Sequence, residues 1–274
     1  MTLEDSIGDI LRKARTSAQV TVEAAAAAAG LSVDAYSAVE SSGKPAAGLK
    51  FGPLGTTLGL DGARLERIAK GWLPEAVDLS LWRELRVITT TGPDYTVNAY
   101  LVWDEVTREA ALFDTGFDAA PILALIDGEN LQLKHIFITH SHFDHIQALP
   151  AIRERFPKAR IHSGSKSAPV EHRIRSNDFI MLGSLRVTNR ETPGHAEDGV
   201  TYIIGTWPED GPHVAVVGDA LFAGSMGGAG NQLELARTKV REQIFSLPPA
   251  TLICPGHGPL TTVEQEKAHN PWFP

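Results

Sequence analysis

The sequence predicts an α/β protein with a small all-helical region in front of it, and two observations support this fold class. Residues up to about position 72 carry apolar side chains at helical spacing and show no strand pattern. After Pro74, short β-branched or apolar runs alternate with helical stretches, as in proteins that pack helices against sheets. We therefore expect a helical domain over residues 1–74 and a catalytic-sized domain over residues 75–274.

The composition is that of a globular protein in water. Of 274 residues 43% are hydrophobic, and 25 Lys and Arg stand against 33 Asp and Glu, a formal net charge of −8. A negative molecule repels polyanions, so bulk nucleic-acid binding is not expected. Cys254 is the single cysteine, which excludes an internal disulfide. Because we find neither an export-signal pattern nor an apolar run of about 18 residues, we predict a cytoplasmic protein without a membrane partner.

The helical region contains two short helices with recognisable ends. Thr21 precedes residues 22–29 as an N-cap and Gly30 closes them, while Ser32 caps a second helix over residues 33–39. Two short helices joined by a glycine-containing turn form a helix-turn-helix. Residues 11–45 resemble the Cro/XRE-type repressor domain. The resemblance implies that the residues facing DNA are Ser32, Asp34, Ala35 and Ser37.

The charges of this region argue against DNA as its partner. Eight basic residues balance eight acidic ones up to Trp72, and residues 33–39 contain no Lys or Arg. Phosphate contacts supply most of the non-specific affinity for DNA, so a neutral domain on an acidic protein binds it poorly. We therefore favour a packing or dimerisation module, and hence a homodimer, with DNA binding as the alternative.

The second region alternates between the two kinds of secondary structure. Its predicted helices are residues 119–126, 146–156 and 233–245. Its predicted strands are residues 85–89, 97–103, 110–113, 135–139, 185–189, 200–204, 214–217 and 252–254.

The predicted strand over residues 135–139 runs directly into the hexapeptide HSHFDH. Alternate side chains of an extended segment share one side, so His140, His142 and Asp144 are expected to face one point. His145 is expected to begin the helix that follows. Imidazole and carboxylate groups are ligands of zinc, iron and similar ions, and four of them in six positions predict a metal site.

Three later segments place a glycine and then a metal-ligating residue after a predicted strand. These pairs are Gly194-His195, Gly218-Asp219 and Gly256-His257. At a strand end the irregular backbone can approach an ion, and glycine removes the side chain that would block it. From about residue 81 to the C-terminus, these motifs in this order resemble the metallo-β-lactamase superfamily. The resemblance implies a four-layer αββα sandwich with metals at one edge of its two sheets.

The resemblance also implies two divalent metal ions, zinc in the first place, with iron and manganese as alternatives. It assigns His140, His142 and His195 to one ion and Asp144, His145 and His257 to the other, and it makes Asp219 the bridging ligand. A hydroxide between the ions would be the nucleophile, with Asp144 and Asp219 as the catalytic carboxylates. Asp114 matches an acid that steadies a ligand histidine, and a turn cap is its other interpretation.

Residues 254–266 and the pair Asn270-Pro271, together with residues 218–227 (GDALFAGSMG), are most similar to the short glyoxalase II-like hydrolases. This similarity implies hydrolysis of a small-molecule thioester. Other enzymatic interpretations are a persulfide dioxygenase-like protein with one iron on His140, His195 and Asp219, a lactonase and a phosphodiesterase. The non-enzymatic alternative is a DNA-binding regulator whose metal domain is a sensor. The substrate-binding residues are unknown, and candidate loops are Phe117, Phe143, residues 165–177 and residues 224–231.

Overall fold

The computed structural model describes residues 2–175, 178–207 and 211–274. Among them, five α-helices precede the first strand: α1 (Ile7–Ser17), α2 (Val22–Ala29), α3 (Val33–Ser42), α4 (Phe51–Leu58) and α5 (Gly62–Ala69). The expected helix ends are present, since the hydroxyl groups of Thr21 and Ser32 accept hydrogen bonds from the first turns of α2 and α3. Gly30 ends α2 in the left-handed region, with φ 69°. The division at residue 74 and the homodimer stay predictions, and DNA binding by α2 and α3 stays the alternative to them.

The strands of the described residues form two sheets. The first has the order β1-β2-β3-β4-β5 and contains β1 (Leu85–Thr91), β2 (Thr96–Trp103), β3 (Glu109–Phe113), β4 (Gln132–Ile138) and β5 (Arg160–Ser163). The second has the order β11-β10-β9-β8-β7-β6 and contains β6 (Phe179–Leu182), β7 (Leu185–Glu191), β8 (Val200–Gly205), β9 (Val214–Gly218), β10 (Leu252–Pro255) and β11 (Thr261–Thr262). The pairs β3–β4, β4–β5 and β9–β10 are parallel, and the others are antiparallel.

Alternation along the strands divides the core into layers. Tyr202 and Ile204 of β8 point between the sheets, whereas Ile203 points to the opposite face. The outer face of the first sheet is covered by α6 (Ala120–Gly128) and α8 (Leu149–Arg155). The outer face of the second sheet is covered by α9 (Leu233–Lys239), α10 (Val263–His269) and the amino-terminal helices. The predicted αββα sandwich is therefore confirmed.

Several local predictions were wrong. The hexapeptide is not extended throughout, because α7 (Phe143–Ile146) begins inside it and His145 N donates to His142 O at 3.0 Å. The predicted helix over residues 146–156 is broken before α8, whose first turn contains proline. By contrast, the predicted helix over residues 233–245 is confirmed, since α9 continues with π geometry over Val240–Ile244. Strands β5, β6 and β11 were not predicted, since each is only two to four residues long.

The amino-terminal helices share one continuous apolar cluster with the second sheet. The cluster runs from Ile10 in α1 to Ala215 and Val217 in β9. Polar contacts follow the same interface, since Arg64 of α5 donates to the carbonyl oxygen of Phe273 at 2.7 Å. The helical region thus forms part of the layer that covers the second sheet.

Within residues 2–175, 178–207 and 211–274, none of the helices has the length and apolar character needed to cross a membrane.

Glu266 of α10 is a buried carboxyl group that joins three segments. Its Oε2 accepts hydrogen bonds from Gly224 N and Asn270 Nδ2, both at 2.9 Å, and its Oε1 accepts one from Thr261 Oγ1 at 2.8 Å. Burial outweighs these hydrogen bonds and raises the pKa of Glu266 to about 7. The folded protein therefore favours the protonated form of Glu266 more strongly than the unfolded chain does.

We expect Glu266→Gln to remove part of the pH dependence of stability. Because the pKa of Glu266 is higher in the folded than in the unfolded chain, its protonated carboxyl group stabilises the fold at pH values below 4.5. This contribution is lost as the pH rises towards 7. Between about pH 5 and about pH 8, the free energy of unfolding of the wild type should fall relative to the variant by about 3 kcal/mol. Urea unfolding of both proteins at several pH values measures this difference. A difference that stays constant with pH would contradict the assignment.

Candidate metal centre

The predicted ligands lie at the carboxyl ends of strands that meet at one edge of the two sheets. His140 follows β4 in the first sheet, while Asp219 and His257 follow the neighbouring parallel strands β9 and β10 of the second. His195 arrives on the loop after β7. Because parallel strands end at the same edge, residues far apart in the chain come together here.

The first group of ligand atoms consists of three imidazole nitrogens. His142 Nδ1 lies 3.0 Å from both His140 Nε2 and His195 Nε2. Neighbouring ligands of a tetrahedral ion with bonds of about 2.0–2.1 Å are separated by roughly 3.3 Å. The three nitrogens are therefore spaced as ligands of one cation.

The second group comprises Asp144, His145 and His257. Asp144 Oδ2 lies 3.3 Å from His257 Nε2 and 3.6 Å from His145 Nε2. The helical turn of α7 supplies two of the three members, because it places Asp144 and His145 side by side rather than on opposite faces of a strand. The second group thus assembles although the predicted extended conformation of Phe143 and Asp144 is wrong.

Asp219 lies between the two groups. One carboxylate oxygen is 3.3 Å from His145 Nε2, and the other is 3.4 Å from His195 Nε2 and 3.5 Å from His257 Nε2. Its side chain therefore contacts histidines of both groups. This is the position that a carboxylate shared by two ions requires.

Four of the five histidines are oriented by a hydrogen bond from the outward-facing Nδ1 atom. His140 donates to Thr139 Oγ1, and His145 donates to Asp114 Oδ2. His195 donates to the carbonyl oxygen of Gly228, and His257 donates to that of Thr96. Each bond fixes the ring and leaves Nε2 facing the centre. Such outer partners are typical of metal-binding histidines.

Asp114 organises two of these rings. Its Oδ2 accepts from His145 Nδ1 at 2.8 Å and from Thr139 Oγ1 at 2.7 Å, and its Oδ1 accepts from Thr139 N at 2.8 Å. Thr139 Oγ1 in turn accepts from His140 Nδ1 at 3.1 Å. Asp114 is buried and has φ 55°, a conformation that is uncommon for a residue with a side chain. The sequence pattern suggested Asp114, whereas nothing in it indicated the connecting role of Thr139.

Two features show that this cluster fits cations. His145 Nε2 and Asp219 Oδ1 are buried side-chain atoms with no hydrogen-bond partner in the described part of the chain, and an unpartnered buried polar atom costs about 1–3 kcal/mol. Gly256 leaves room for the ligands, because a Cβ atom there would lie 2.3 Å from Asp219 Oδ1 and 2.6 Å from His145 Cε1. A bound cation would satisfy both orphaned atoms.

Charge and burial shift the pKa values of individual residues in this cluster in different directions. For His140, burial and the neighbouring His145 lower the pKa to about 2, so its imidazole is neutral. For His145, burial lowers the pKa, but Asp114 and Asp219 outweigh it and raise the value to about 10. Burial favours the protonated form of Asp219, yet His145 and His257 hold its pKa well below the ordinary value. Cation binding must therefore displace protons from part of the cluster.

A groove of about 410 Å³ opens beside the first group, lined by Ser141, His142, residues 164–167 and residues 195–198. On the other side, Tyr95 packs edge-on against His257 with ring centroids 5.7 Å apart, and Phe117 packs against Tyr95. Phe143 is 67% exposed. Residues 165–167, the first part of the candidate loop over residues 165–177, thus line the groove. Residues 176 and 177 of that loop lie outside the described residues. Tyr95 was not predicted, because its turn carries no motif.

Comparison with known families identifies the fold. Residues 92–257 match the family described as the metallo-beta-lactamase superfamily. The chain belongs to the metallo-β-lactamase superfamily. The match ends at His257, so all seven predicted metal ligands lie inside it.

Curated superfamily members with similar sequences have different activities. The chain is 29% identical to a probable metallo-hydrolase of Bacillus subtilis, YqgX, over 70% of this chain and 97% of that protein. It is 31% identical to a hydroxyacylglutathione hydrolase of Fuscovulum blasticum over 58% of this chain and 61% of that protein. It is 33% identical to human persulfide dioxygenase ETHE1 over 63% and 69% of the two chains.

Solved superfamily structures agree with the fold. The B3 metallo-beta-lactamase BLEG-1 aligns with a TM-score of 0.58 and 28% identity, over 69% of this chain and 98% of that one. ETHE1 from Myxococcus xanthus aligns with a TM-score of 0.58 and 30% identity, over 68% of this chain and 83% of that one. TTHA1623 in a di-iron-bound form aligns with a TM-score of 0.55 and 26% identity, over 68% of this chain and 100% of that one.

We expect Asp114→Asn to weaken metal binding by about 10–100-fold, because an amide cannot accept hydrogen bonds on both sides of its carboxamide. The zinc dissociation constants of the wild type and the variant, measured by competition with a chromogenic chelator, test this. Asp104→Asn is the matched control, since Asp104 is also buried and hydrogen-bonded, to Ser184, but lies at the opposite end of the first sheet. Equal effects of the two substitutions would contradict a specific role of Asp114.

Proposed function

We propose that the protein is a dinuclear metal-dependent hydrolase that cleaves an ester-like bond, and that its substrate is a small thioester. The first ion would be held by His140, His142 and His195, and the second by Asp144, His145 and His257. Asp219 would contact both ions. We propose zinc as the metal, and iron or manganese as the ions that the same ligands also suit.

The position of Asp219 is the observation that carries this proposal. Its two carboxylate oxygens lie 3.3–3.5 Å from histidines of both groups. The second group also contains a full set of ligand types, because Asp144 joins two histidines there. A site for one ion does not require the second group to converge. Both features support two ions sharing one carboxylate.

When bound, two divalent ions would lower the pKa of a water molecule to near neutrality and would polarise a substrate carbonyl group. The protein's own groups have separate tasks. Asp144, whose Oδ2 lies 3.3 Å from His257 Nε2, would hold the proton that the attacking water loses. Asp114 and Thr139 keep His140 and His145 oriented through their hydrogen bonds.

The groove beside His142 and His195 supports a small polar substrate. Its walls carry Ser165, Ser167 and the ion pair between Lys166 and Glu197, whose charged atoms are 3.0 Å apart. The similarity to a hydroxyacylglutathione hydrolase supports a thioester as the bond that is cleaved. Glutathione itself is one acyl carrier to be tested among several.

A persulfide dioxygenase is the second candidate. It is supported by the 33% identity to human persulfide dioxygenase ETHE1. His195 Nε2 and Asp219 Oδ2 are 3.4 Å apart, as two ligands of one iron would be. Thioester hydrolysis and persulfide-dependent oxygen consumption, measured on one preparation, separate the candidates. Hydrolysis without oxygen uptake supports the first proposal, and the reverse result overturns it.

We expect Asp219→Ala to abolish turnover and to weaken both metal sites together, because one carboxylate serves both groups. Asp144→Ala should weaken only the second site. Metal content after dialysis, together with the rate of thioester hydrolysis, measures both effects. An Asp219→Ala protein that keeps its activity, or that loses only one ion, would contradict a shared carboxylate.

A further inference from the structure

The amino-terminal segment contacts the loops of the metal centre directly. On one side Lys13 Nζ donates to the carbonyl oxygen of Met226 at 3.3 Å. On the other, the backbone of Glu4 lies against Gly258, where a Cβ atom would be 3.0 Å from Glu4 N. Residues 4–13 therefore contact both the loop after Asp219 and the loop that carries His257. They lie outside residues 92–257, which match the superfamily.

Asp5 is the centre of the first contact. It is only 6% exposed, and its carboxylate accepts a hydrogen bond from Ser225 Oγ at 2.5 Å. Lys13 Nζ donates to both oxygens of the same carboxylate, at 2.7 and 2.9 Å. Ser225 also accepts a hydrogen bond from Trp272 Nε1 at 3.2 Å. A buried carboxylate that accepts three hydrogen bonds from two partners fixes the segment that it contacts.

The segment that Asp5 and Lys13 contact continues into Gly227 and Gly228, which form hydrogen bonds with two predicted metal ligands. Gly227 N donates to the backbone oxygen of Asp219 at 3.0 Å, and Gly228 O accepts from His195 Nδ1 at 3.0 Å. Gly227 also allows close packing, because a Cβ atom there would lie 2.6 Å from His195 Nδ1. A shift of residues 225–228 would therefore move the group that orients His195.

We propose that Asp5 and Lys13 are positioning residues of the metal centre. They hold residues 225–228 so that Gly228 O keeps His195 in its ligand orientation. The amino-terminal helical region then has a role in the chemistry of the site, beyond covering the second sheet. This inference rests on the proposed function only in requiring that an ion binds to His140, His142 and His195.

The test compares two buried ion pairs of helix α1 in the full-length protein. Asp5→Ala removes the pair with Lys13, and Glu40→Gln weakens the pair with Arg15, whose atoms are 2.6 Å apart. The exposed side-chain fractions are similar, 25% and 7% for Lys13 and Asp5 against 18% and 10% for Arg15 and Glu40. Both variants lower the stability of the helical region, but only the first alters residues 225–228.

For Asp5→Ala we expect the zinc affinity of the site that contains His195 to fall by about tenfold or more, with a changed visible spectrum of the Co²⁺-loaded protein. Asp5→Asn, which keeps an acceptor for Ser225, should recover part of the affinity. Glu40→Gln should keep the wild-type affinity and spectrum while its Tm falls. If Asp5→Ala does not fold, Lys13→Met should show the same changes, because it removes the donor to Met226 O.

The proposal is overturned if Asp5→Ala, or Lys13→Met in its place, matches Glu40→Gln in affinity and spectrum. Its failure can be told apart from that of the proposed function. A wild type that binds one ion at the His195 site overturns the dinuclear hydrolase and leaves this comparison valid. A wild type that binds neither Zn²⁺ nor Co²⁺ overturns both.

Discussion

The close approach of five imidazole rings and two carboxylates is the constraint on which the other features of the site depend. Ligand atoms 3.0–3.6 Å apart include buried ones without hydrogen-bond partners, which is unfavourable unless a cation binds them. The fold maintains this arrangement with parallel strand ends beneath the ligands. Hydrogen bonds on the outer nitrogens stop the rings from turning away.

The supporting interactions come from every part of the chain. Asp114 follows β3 of the first sheet, Thr96 begins β2, and Gly228 lies in the segment between β9 and β10 of the second sheet. Asp5 and Lys13 extend this support to the amino-terminal helices, which also bury apolar surface against the second sheet. The helical region and the sandwich thus share both a core and a polar network next to the metal centre.

The sequence predicted the αββα sandwich and the seven residues that the structure brings together, because each ligand stands in a short local motif after a strand. It did not predict Thr139 as the link between Asp114 and His140, nor the acceptor role of Thr96 O, since backbone carbonyl groups leave no sequence signal. The predicted extended conformation of Asp144 was wrong because a helical turn begins at Phe143, directly after His142. Contacts between residues 5 and 225 depend on tertiary packing, which no local pattern encodes.

The number of ions bound per chain tests the proposed dinuclear centre most directly. Metal-free protein is titrated with Zn²⁺ at a concentration well above the dissociation constants, and the bound zinc is measured by elemental analysis after gel filtration. Two equivalents per chain are predicted, because two groups of ligands converge and Asp219 contacts both. Saturation at one equivalent would contradict the account.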